Sequence, residues 1–365
     1  MKLAIDLLWV RHKKVGGIES YIRNLLDGLL ALNYEYEIWL LVSKDNRLTF
    51  EEYALDGRFH IYECNIYSSN VKKRIIWQNL FLNRTIIKLG IDKCFEPYYC
   101  KPFLGNRKVK YITTIHDLQA LHFPYYFSKI KEMWMKLSWR NAIKSSSKII
   151  AISEYVKYDI IKNFKVDPTK VEVIYNPITI SDRELKDFEH IGHKYNVEKN
   201  EYYFTVSSLL PHKNIQTLIR VFKKIKDEKI NLPCKLVISG VGGKLRTEFE
   251  KSISEFGLKD NIFITDFLDN SERNALYKYC RAFLFPSIFE GFGMPPIEAM
   301  YFNVPVITTR ESCLVEVTQG KANYVDDPYN IDEWIGRMSD CVTTRCDLSI
   351  YDRLKIARQY LTAFE

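Results

Sequence analysis

The sequence predicts an α/β fold of two Rossmann-like domains, each a parallel sheet with helices on both faces. Three observations predict it. Strand-like apolar runs alternate with helical spacings along nearly the whole chain. At 365 residues the chain is long for one core and divides naturally into two domains of about 180 residues. A charged, weakly hydrophobic stretch from about Ser181 to Asn200 separates two such alternating series. The expected organisation is an N-terminal domain over 1–180, a linker over 181–200 and a C-terminal domain over 201–345. The last segment, 346–365, reads as a C-terminal helix that can cross back onto the N-terminal domain.

The first strand is expected at Lys2–Val10, an apolar run interrupted by Asp6 and followed by Arg11-His12-Lys13-Lys14. That interruption and those cations favour a strand over a signal sequence. Ile18, Tyr21, Ile22, Leu25, Leu26 and Leu29 then have helical spacing, so Ile18–Leu32 is a helix. Further strands are expected at Glu37–Val42, Phe59–Glu63, Val109–Ile115, Lys148–Ile152 and Val171–Tyr175, the last closed by Asn176-Pro177. Helical patterns fall near 72–89, 128–144 and 154–164. Beyond the linker come a strand at Tyr202–Ser207, a helix over 214–229, a strand at Leu236–Gly240 and a helix over 244–257. A strand at Ile262–Asp266, a helix over 271–280 and a strand over 282–286 follow. Repeated β-α alternation of this kind builds parallel sheets.

Composition narrows the function. Hydrophobic content of 47% with 27% charged residues is that of an ordinary soluble globular protein. The eight cysteines form no CxxC pair or Cys/His cluster, which points to reduced thiols, several buried, and to neither a zinc site nor a disulfide framework. The expected location is therefore cytoplasmic. No apolar stretch is long enough to cross a bilayer. The net charge of +8 raises nucleic acid as a partner, but the basic residues are spread over both halves. No helix-turn-helix, zinc-finger or RNP-type run is present, so nucleic acid is not expected.

Open α/β sheets bind ligands at the carboxyl ends of their strands. The loops there are Val15-Gly16-Gly17-Ile18, Ile115-His116-Asp117-Leu118 and Ser207-Ser208-Leu209-Leu210-Pro211-His212-Lys213-Asn214. The fourth, Pro286–Met300, reads PSIFEGFGMPPIEAM and follows a continuous apolar run, Ala282–Phe285. Gly291 and Gly293 supply backbone freedom for a tight turn, and Pro295 and Pro296 suit a first helical turn. Such a junction can hold phosphate on backbone N–H groups and sugar hydroxyls on Glu290 and Glu298. Ser239–Lys244 follows a strand but lacks Walker spacing, and no Asp-x-Asp is present.

The Pro286–Met300 run closely resembles the signature of retaining family-4 glycosyltransferases of the GT-B fold, E-G-F-G-x-P-x-x-E, with every fixed letter present. The resemblance extends over nearly the whole chain. His116-Asp117-Leu118 and the following Pro124-Tyr125-Tyr126-Phe127-Ser128 look like a segment of bacterial polysaccharide mannosyltransferases and related enzymes. It implies two Rossmann-like domains facing across a cleft and hexose transfer from a nucleotide-sugar with retention of configuration. GDP-mannose is the first expected donor, then dTDP-rhamnose or a UDP-sugar. The acceptor implied is a growing, lipid-linked surface polysaccharide such as O-antigen.

The resemblance also assigns roles. Gly16 and Gly17 lie near the donor diphosphate and acceptor, His116 bonds the transferred sugar and Asp117 orients its loop. Lys213 neutralises the departing diphosphate, Glu298 binds ribose, and Glu290 holds the sugar. The amides of Gly291, Phe292 and Gly293 touch sugar or phosphate, and Leu268 lies by the base. This chain departs from the family at the usual arginine, whose two expected places hold Ser208 and His212. His212 as a second phosphate donor would make that contact pH-dependent. Asn214 is expected to cap the next helix. No cofactor is expected, and with no Asp-x-Asp there is no sequence case for a divalent-metal diphosphate site, so no metal is expected either. The alternative is a catalytically impaired GT-B protein that binds nucleotide-sugar, with an epimerase or phosphorylase fitting less well.

Two N-domain stretches, 71–77 and 129–140, mix cations with aromatic residues. Ile130, Met133, Trp134 and Leu137 fall on one helical stripe, which ordinarily means core packing. The competing reading is docking on the cytoplasmic face of an anionic membrane.

Overall fold

In the computed structural model, which describes residues 1–12, 16–106, 108–180, 185–242, 245–266 and 268–365, the apolar runs form strands of two all-parallel sheets. The chain divides into one unit of Met1–Thr179 with Ser349–Glu365 and a second of Ile180–Leu348. In the first, β1 (Lys2–Asp6), β2 (Glu37–Ser43), β3 (Phe59–Cys64), β4 (Lys93–Glu96), β5 (Lys110–Ile115), β6 (Lys148–Ala151) and β7 (Val171–Val173) stand in the order β3-β2-β1-β4-β5-β6-β7. The first strand ends at Asp6 and not at Val10. β4 is Lys-Cys-Phe-Glu, whose two apolar residues stand between charged ends and give no strand-like run.

The helical stretch near 72–89 is a Val71–Trp77 α-helix, a π turn over Gln78–Leu82 and an Asn83–Lys88 α-helix. The wider turn begins at Gln78, whose amide reaches back to Asp6 at the end of β1. The C-terminal helix Arg353–Phe364 is capped by Asp352, which accepts from the amides of Leu354 and Lys355. It buries Ile356, Ala357, Tyr360, Ala363 and Phe364 in the core of the first unit. Phe364 and Tyr360 lie 5.1 and 5.5 Å from the Phe95 ring of β4.

The second unit has β8 (Tyr203–Val206), β9 (Leu236–Ser239), β10 (Ile262–Ile264), β11 (Ala282–Phe285), β12 (Val306–Thr309) and β13 (Asn323–Val325), in the order β10-β9-β8-β11-β12-β13. Both sheets therefore reverse their winding at the first strand of the unit, between β1 and β4 and between β8 and β11. Strands β12 and β13 and the helix Ile331–Asp340, whose Trp334 is fully buried, lie beyond the alternation read from sequence.

Two expectations need correction. Within the stretch read as a linker, Phe188–Tyr195 is a helix of the second unit that buries Phe188, Ile191 and Tyr195. Its Tyr195 hydroxyl donates to Glu272 Oε1 at 2.8 Å. The charges of this stretch lie on its outer side, so it reads as polar in sequence while its inner side packs; residues 181–184 are outside the described chain. The stripe Ile130–Met133–Trp134–Leu137 is not core. The helix Lys129–Ser145 buries Met135, Ser138, Trp139, Ala142 and Ile143 instead, and leaves Ile130 78%, Met133 59% and Leu137 48% exposed. The two stripes lie on nearly opposite sides of the helix, and spacing alone does not choose between them. Among the described residues no helix is long and apolar enough to cross a membrane. All eight cysteines are free thiols, and Cys64, Cys94, Cys280 and Cys313 are buried.

Gly28 marks where the C-terminal helix meets the Gly17–Leu30 helix. A Cβ there would lie 2.6 Å from the Arg353 carbonyl oxygen and 2.9 Å from Ala357 Cβ. Backbone cannot yield as a side-chain tip can, so Gly28→Ala is expected to destabilise the first unit by about 1–3 kcal/mol. Calorimetry and limited proteolysis check this: the first unit should melt earlier with its C-terminal helix more readily cleaved, while the second is unchanged.

Candidate active site

In the second unit the reversal of strand order places the loops after β8 and β11 at one crevice. After β8 the chain runs through Ser207 and the half-buried Ser208 into a turn at Pro211–Lys213. Asn214 has left-handed backbone (φ 53°), and the helix Ile215–Asp227 starts behind it. This turn aims Lys213 at the loop after β11, where Nζ donates to Glu290 Oε1 at 2.6 Å. Both side chains are largely shielded from solvent, at 20% and 11% exposure.

The Glu290–Gly293 loop is fixed from below. The Glu290 amide donates to Ser312 Oγ at 2.9 Å. The buried Cys313 thiol donates to the carbonyls of Glu290 and Phe292 at 3.2 and 3.1 Å. Gly293 has φ 84°, a conformation that favours glycine, and a Cβ there would press on Leu314 Cδ2 at 3.0 Å. The helix Met294–Tyr301 opens there with Pro295 in its first turn. Glu298, one turn on, accepts from the Tyr277 hydroxyl at 2.9 Å through Oε2. Gly291 and Leu268 are half-buried and Phe292 is buried. Leu268 lies in the loop after β10; its neighbour Phe267, like Gly243 and Lys244 of the Ser239–Lys244 run, is outside the described residues.

His212 and Asn214 depart from expectation. His212 is buried, and its carbonyl accepts from the Ile288 amide at 2.8 Å. Burial, and then the Lys213 charge, push its imidazole down to about 3. It is neutral across physiological pH and does not supply a pH-dependent cation. Asn214 holds the N-cap position, but its side chain caps no backbone amide. Its Nδ2 donates to the Pro328 carbonyl and its Oδ1 accepts from the Thr217 hydroxyl. The left-handed backbone turns the side chain away from the helix start.

In the first unit Gly16 and Gly17 open the helix Gly17–Leu30; Lys13, Lys14 and Val15 are outside the described residues. Gly16 is extended, and a Cβ there would meet nothing within 4 Å, so the fold itself does not require glycine. One turn on, Tyr21 presents its ring edge-on to His116 at 5.0 Å and shares hydrogen bonds with Thr114 and Tyr360 at 3.1 and 2.6 Å. His116 Nε2 lies 2.8 Å from the Pro97 carbonyl. A carbonyl only accepts, so Nε2 carries the proton and Nδ1 of the neutral ring is an acceptor. Burial pushes this imidazole down to about 4. Asp117 Oδ1 accepts from the Gln119 amide at 2.9 Å, which turns the loop.

Sequence reasoning missed the buried polar group beside it. Asp6, at the end of β1, accepts from the Leu8 amide at 2.9 Å and from Gln78 at 2.6 Å. Burial raises its carboxyl above the usual range. Glu96, at the end of β4, is pushed well up by burial and by Asp6, while burial lowers the Lys101 ammonium. The half-buried Trp9 and Tyr98 stand next to these strand ends with ring centroids 5.7 Å apart. The available signal was Asp6 itself, a carboxylate ending an apolar strand.

Residues 15–182 match the model of glycosyltransferase family 4, and residues 187–354 match that of glycosyl transferases group 1. The chain belongs to the family-4 glycosyltransferases. It is similar to the O-antigen chain mannosyltransferase RfbU of Salmonella typhimurium, with 31% identity over 248 residues, 67% of this chain and 63% of that protein. It is also 27% identical over 237 residues to O-antigen chain mannosyltransferase B of Escherichia coli, covering 63% of this chain and 60% of that protein. The chain thus spans about three fifths of these relatives. In fold it resembles the Anabaena Alr3699/HepE protein crystallised with UDP, at TM-score 0.70 and 16% identity over 99% of this chain and 98% of that one. WaaG, a glycosyltransferase involved in lipopolysaccharide biosynthesis, has TM-score 0.68 and 13% identity over 99% and 95%. The fold is the family's GT-B pair of Rossmann-like domains.

The two buried imidazoles set a pH dependence. Between pH 6.5, the ordinary histidine value, and about 4 for His116 or 3 for His212, the unfolded chain binds protons that the folded chain does not. Stability is therefore full above pH 6.5 and falls as pH drops through that window, by on the order of 1–2 kcal/mol per histidine at pH 5. Denaturant melts at pH 7 and 5 should show this loss, and His116→Gln and His212→Gln should each flatten it.

Proposed function

We propose that this chain transfers a hexose from a nucleotide-sugar to a growing, lipid-linked surface polysaccharide, with retention of configuration. The observation that carries the proposal is the shielded Lys213–Glu290 contact at the strand-order reversal of the second unit. A nucleoside diphosphate leaves with growing negative charge on its β-phosphate, and a preorganised cation there stabilises that charge. Lys213 takes this role without a metal ion. Glu290 holds Lys213 in place before the donor arrives and then faces the sugar. Phe292 and Gly293 offer their amides, and Glu298 binds the ribose hydroxyls. In the first unit, Gly16 and Gly17 leave room for close approach of a ligand, and the Nδ1 of His116 accepts from a sugar hydroxyl. GDP-mannose is favoured as donor by the relatives named mannosyltransferases, with dTDP-rhamnose and UDP-sugars next. Aromatic Trp9 and Tyr98 suit stacking of acceptor sugar rings.

A membrane-facing location is supported by the exposed stripe of the Lys129–Ser145 helix. Trp134 of that helix lies 5.3 Å from Phe103. The Phe103 amide donates to Asn79 at 2.7 Å, and the Leu104 carbonyl accepts from Asn83 at 2.7 Å. Exposed Ile76, Leu80, Phe81, Phe103 and Leu104 therefore continue the apolar surface of Ile130, Met133 and Leu137. Exposed Lys72, Lys73, Arg84, Lys129, Lys131 and Arg140 lie on the same elements. We place this surface on the anionic cytoplasmic face of the membrane. Lys129→Glu with Lys131→Glu should weaken cosedimentation with phosphatidylglycerol vesicles by at least about thirty-fold, at roughly 1 kcal/mol per lost cation. Neutral phosphatidylcholine vesicles should show little difference.

A thermal-shift panel of GDP, UDP, dTDP, ADP and their sugar conjugates tests the donor reading. One nucleotide class should raise Tm selectively, and Glu298→Ala should abolish the shift. Stabilisation by none of them would overturn it. Lys213→Ala should lower kcat by about 10²–10³, whereas binding without turnover in the unaltered chain would favour an impaired nucleotide-sugar-binding protein.

A further inference from the structure

We infer that the Tyr277 hydroxyl is a positioning group for Glu298, and that it sets how strongly the site distinguishes ribose from deoxyribose. The inference rests on the reading that Glu298 binds the ribose hydroxyls. Tyr277 lies on the helix Asn270–Tyr279, which Asp269 caps by accepting from the Glu272 amide at 2.8 Å. Its ring is fully buried. It stands edge-on to Phe204 at 5.0 Å, 5.1 Å from Phe283, and stacked over Phe302 at 6.1 Å. Phenylalanine rings offer no strong acceptor, so a phenol held on three sides has one useful direction for its proton. That direction is Glu298 Oε2, 2.9 Å away on the next helix.

The donor role is secure electrostatically. Burial, followed by the Glu298 charge, raises the phenol well above its usual range, so it stays protonated. Arg273, one turn earlier on the same helix, feels the Glu298 charge as well. Its buried Nε has no hydrogen-bond partner among the described residues. Glu298 is thus fixed by a hydrogen bond from one side with a cation close by. A carboxylate has about four acceptor sites on two oxygens, and a vicinal diol brings two donors. With Oε2 tied to Tyr277, Oε1 and the remaining lone pair of Oε2 are held ready for that diol. Without the tie, a side chain with three rotatable bonds must be ordered on binding, which costs affinity for the diol only.

The competing account is that Glu298 simply satisfies a buried phenol. The two differ in whether the effect tracks the ribose hydroxyls. Calorimetric titration with GDP and UDP and with their 2′-deoxy and 2′,3′-dideoxy forms separates them. It would use the full chain, Tyr277→Phe, Glu298→Ala and the double variant. The unaltered chain should prefer the ribonucleotide by about 10- to 100-fold, as expected for hydrogen bonds to a charged group. Tyr277→Phe should shrink that preference to about three-fold or less, leaving dideoxynucleotide affinity unchanged. In the Glu298→Ala background it should have no further effect.

Equal weakening of all three nucleotide forms by Tyr277→Phe, or an intact ribose preference in that variant, would overturn the inference while leaving the donor reading standing. An unaltered chain that binds neither nucleotide, or binds without ribose preference, would instead remove the reading of Glu298 and the inference with it.

Discussion

A parallel sheet wound in one direction sends every connection over the same face, and its strand ends are then closed over by the loops. Where the winding reverses, neighbouring strands send their loops to opposite faces, and a crevice is left between them. This chain has that reversal twice, at β1/β4 and at β8/β11. Its chemistry-bearing residues follow from it. Asp6 and Glu96 end the two strands at the first reversal, with His116 at the end of the neighbouring β5. Lys213 and Glu290 follow the two strands at the second. The apolar strands build the sheet, and the sheet determines which loops can meet.

The second crevice is rigid because its loop is held through the backbone. Ser312 takes the Glu290 amide, the Cys313 thiol donates to two loop carbonyls, and Gly293 turns with a positive φ that favours glycine. Those contacts leave the side chains of Glu290 and Glu298 to be placed by Lys213 and Tyr277. The cation and its carboxylate are mostly desolvated, so their attraction is screened less than that of a surface pair. A phosphate entering this site competes for Lys213 against a carboxylate and not against bulk water.

The sequence carried both sheets, most helices and the glutamate motif, because strand runs of β-branched residues and strict glycine-proline spacing are local signals. Its failures have physical causes. β4 and β13 each hold only two apolar residues, too few for a pattern to stand out, whereas the β12 run Val306-Ile307-Thr308-Thr309 is β-branched throughout and legible. The helix Phe188–Tyr195 was hidden by the charges flanking its narrow apolar side. The Lys129–Ser145 helix offered two apolar stripes, and only its neighbours decide which is buried. The sequence suggests a phosphate donor at His212 and a helix cap at Asn214. Their roles changed because the turn at 211–214 carries one imidazole inward and sets a left-handed residue where a cap was expected. Tyr277 lay in plain view, yet its partner is twenty-one residues away on another helix, and no local pattern announces that contact.

The two strand-order reversals differ in charge, and that difference argues for a division of labour. At the first, burial drives Asp6 and Glu96 towards the protonated form, lowers Lys101 and keeps His116 neutral. These buried groups lie near two aromatic rings, with the buried Arg74 acting on Asp6, and burial disfavours the charged form of each. At the second, Lys213 keeps its partner Glu290 within hydrogen-bonding distance, and Arg273 sits close to Glu298. The Lys213–Glu290 pair keeps a cation in place at this reversal before any anionic ligand arrives. Two sheets of similar winding thus differ in what governs their charges, burial in the first and pairing in the second. Under the proposed function, this difference suits the second unit to the nucleotide-diphosphate and the first to the glycan.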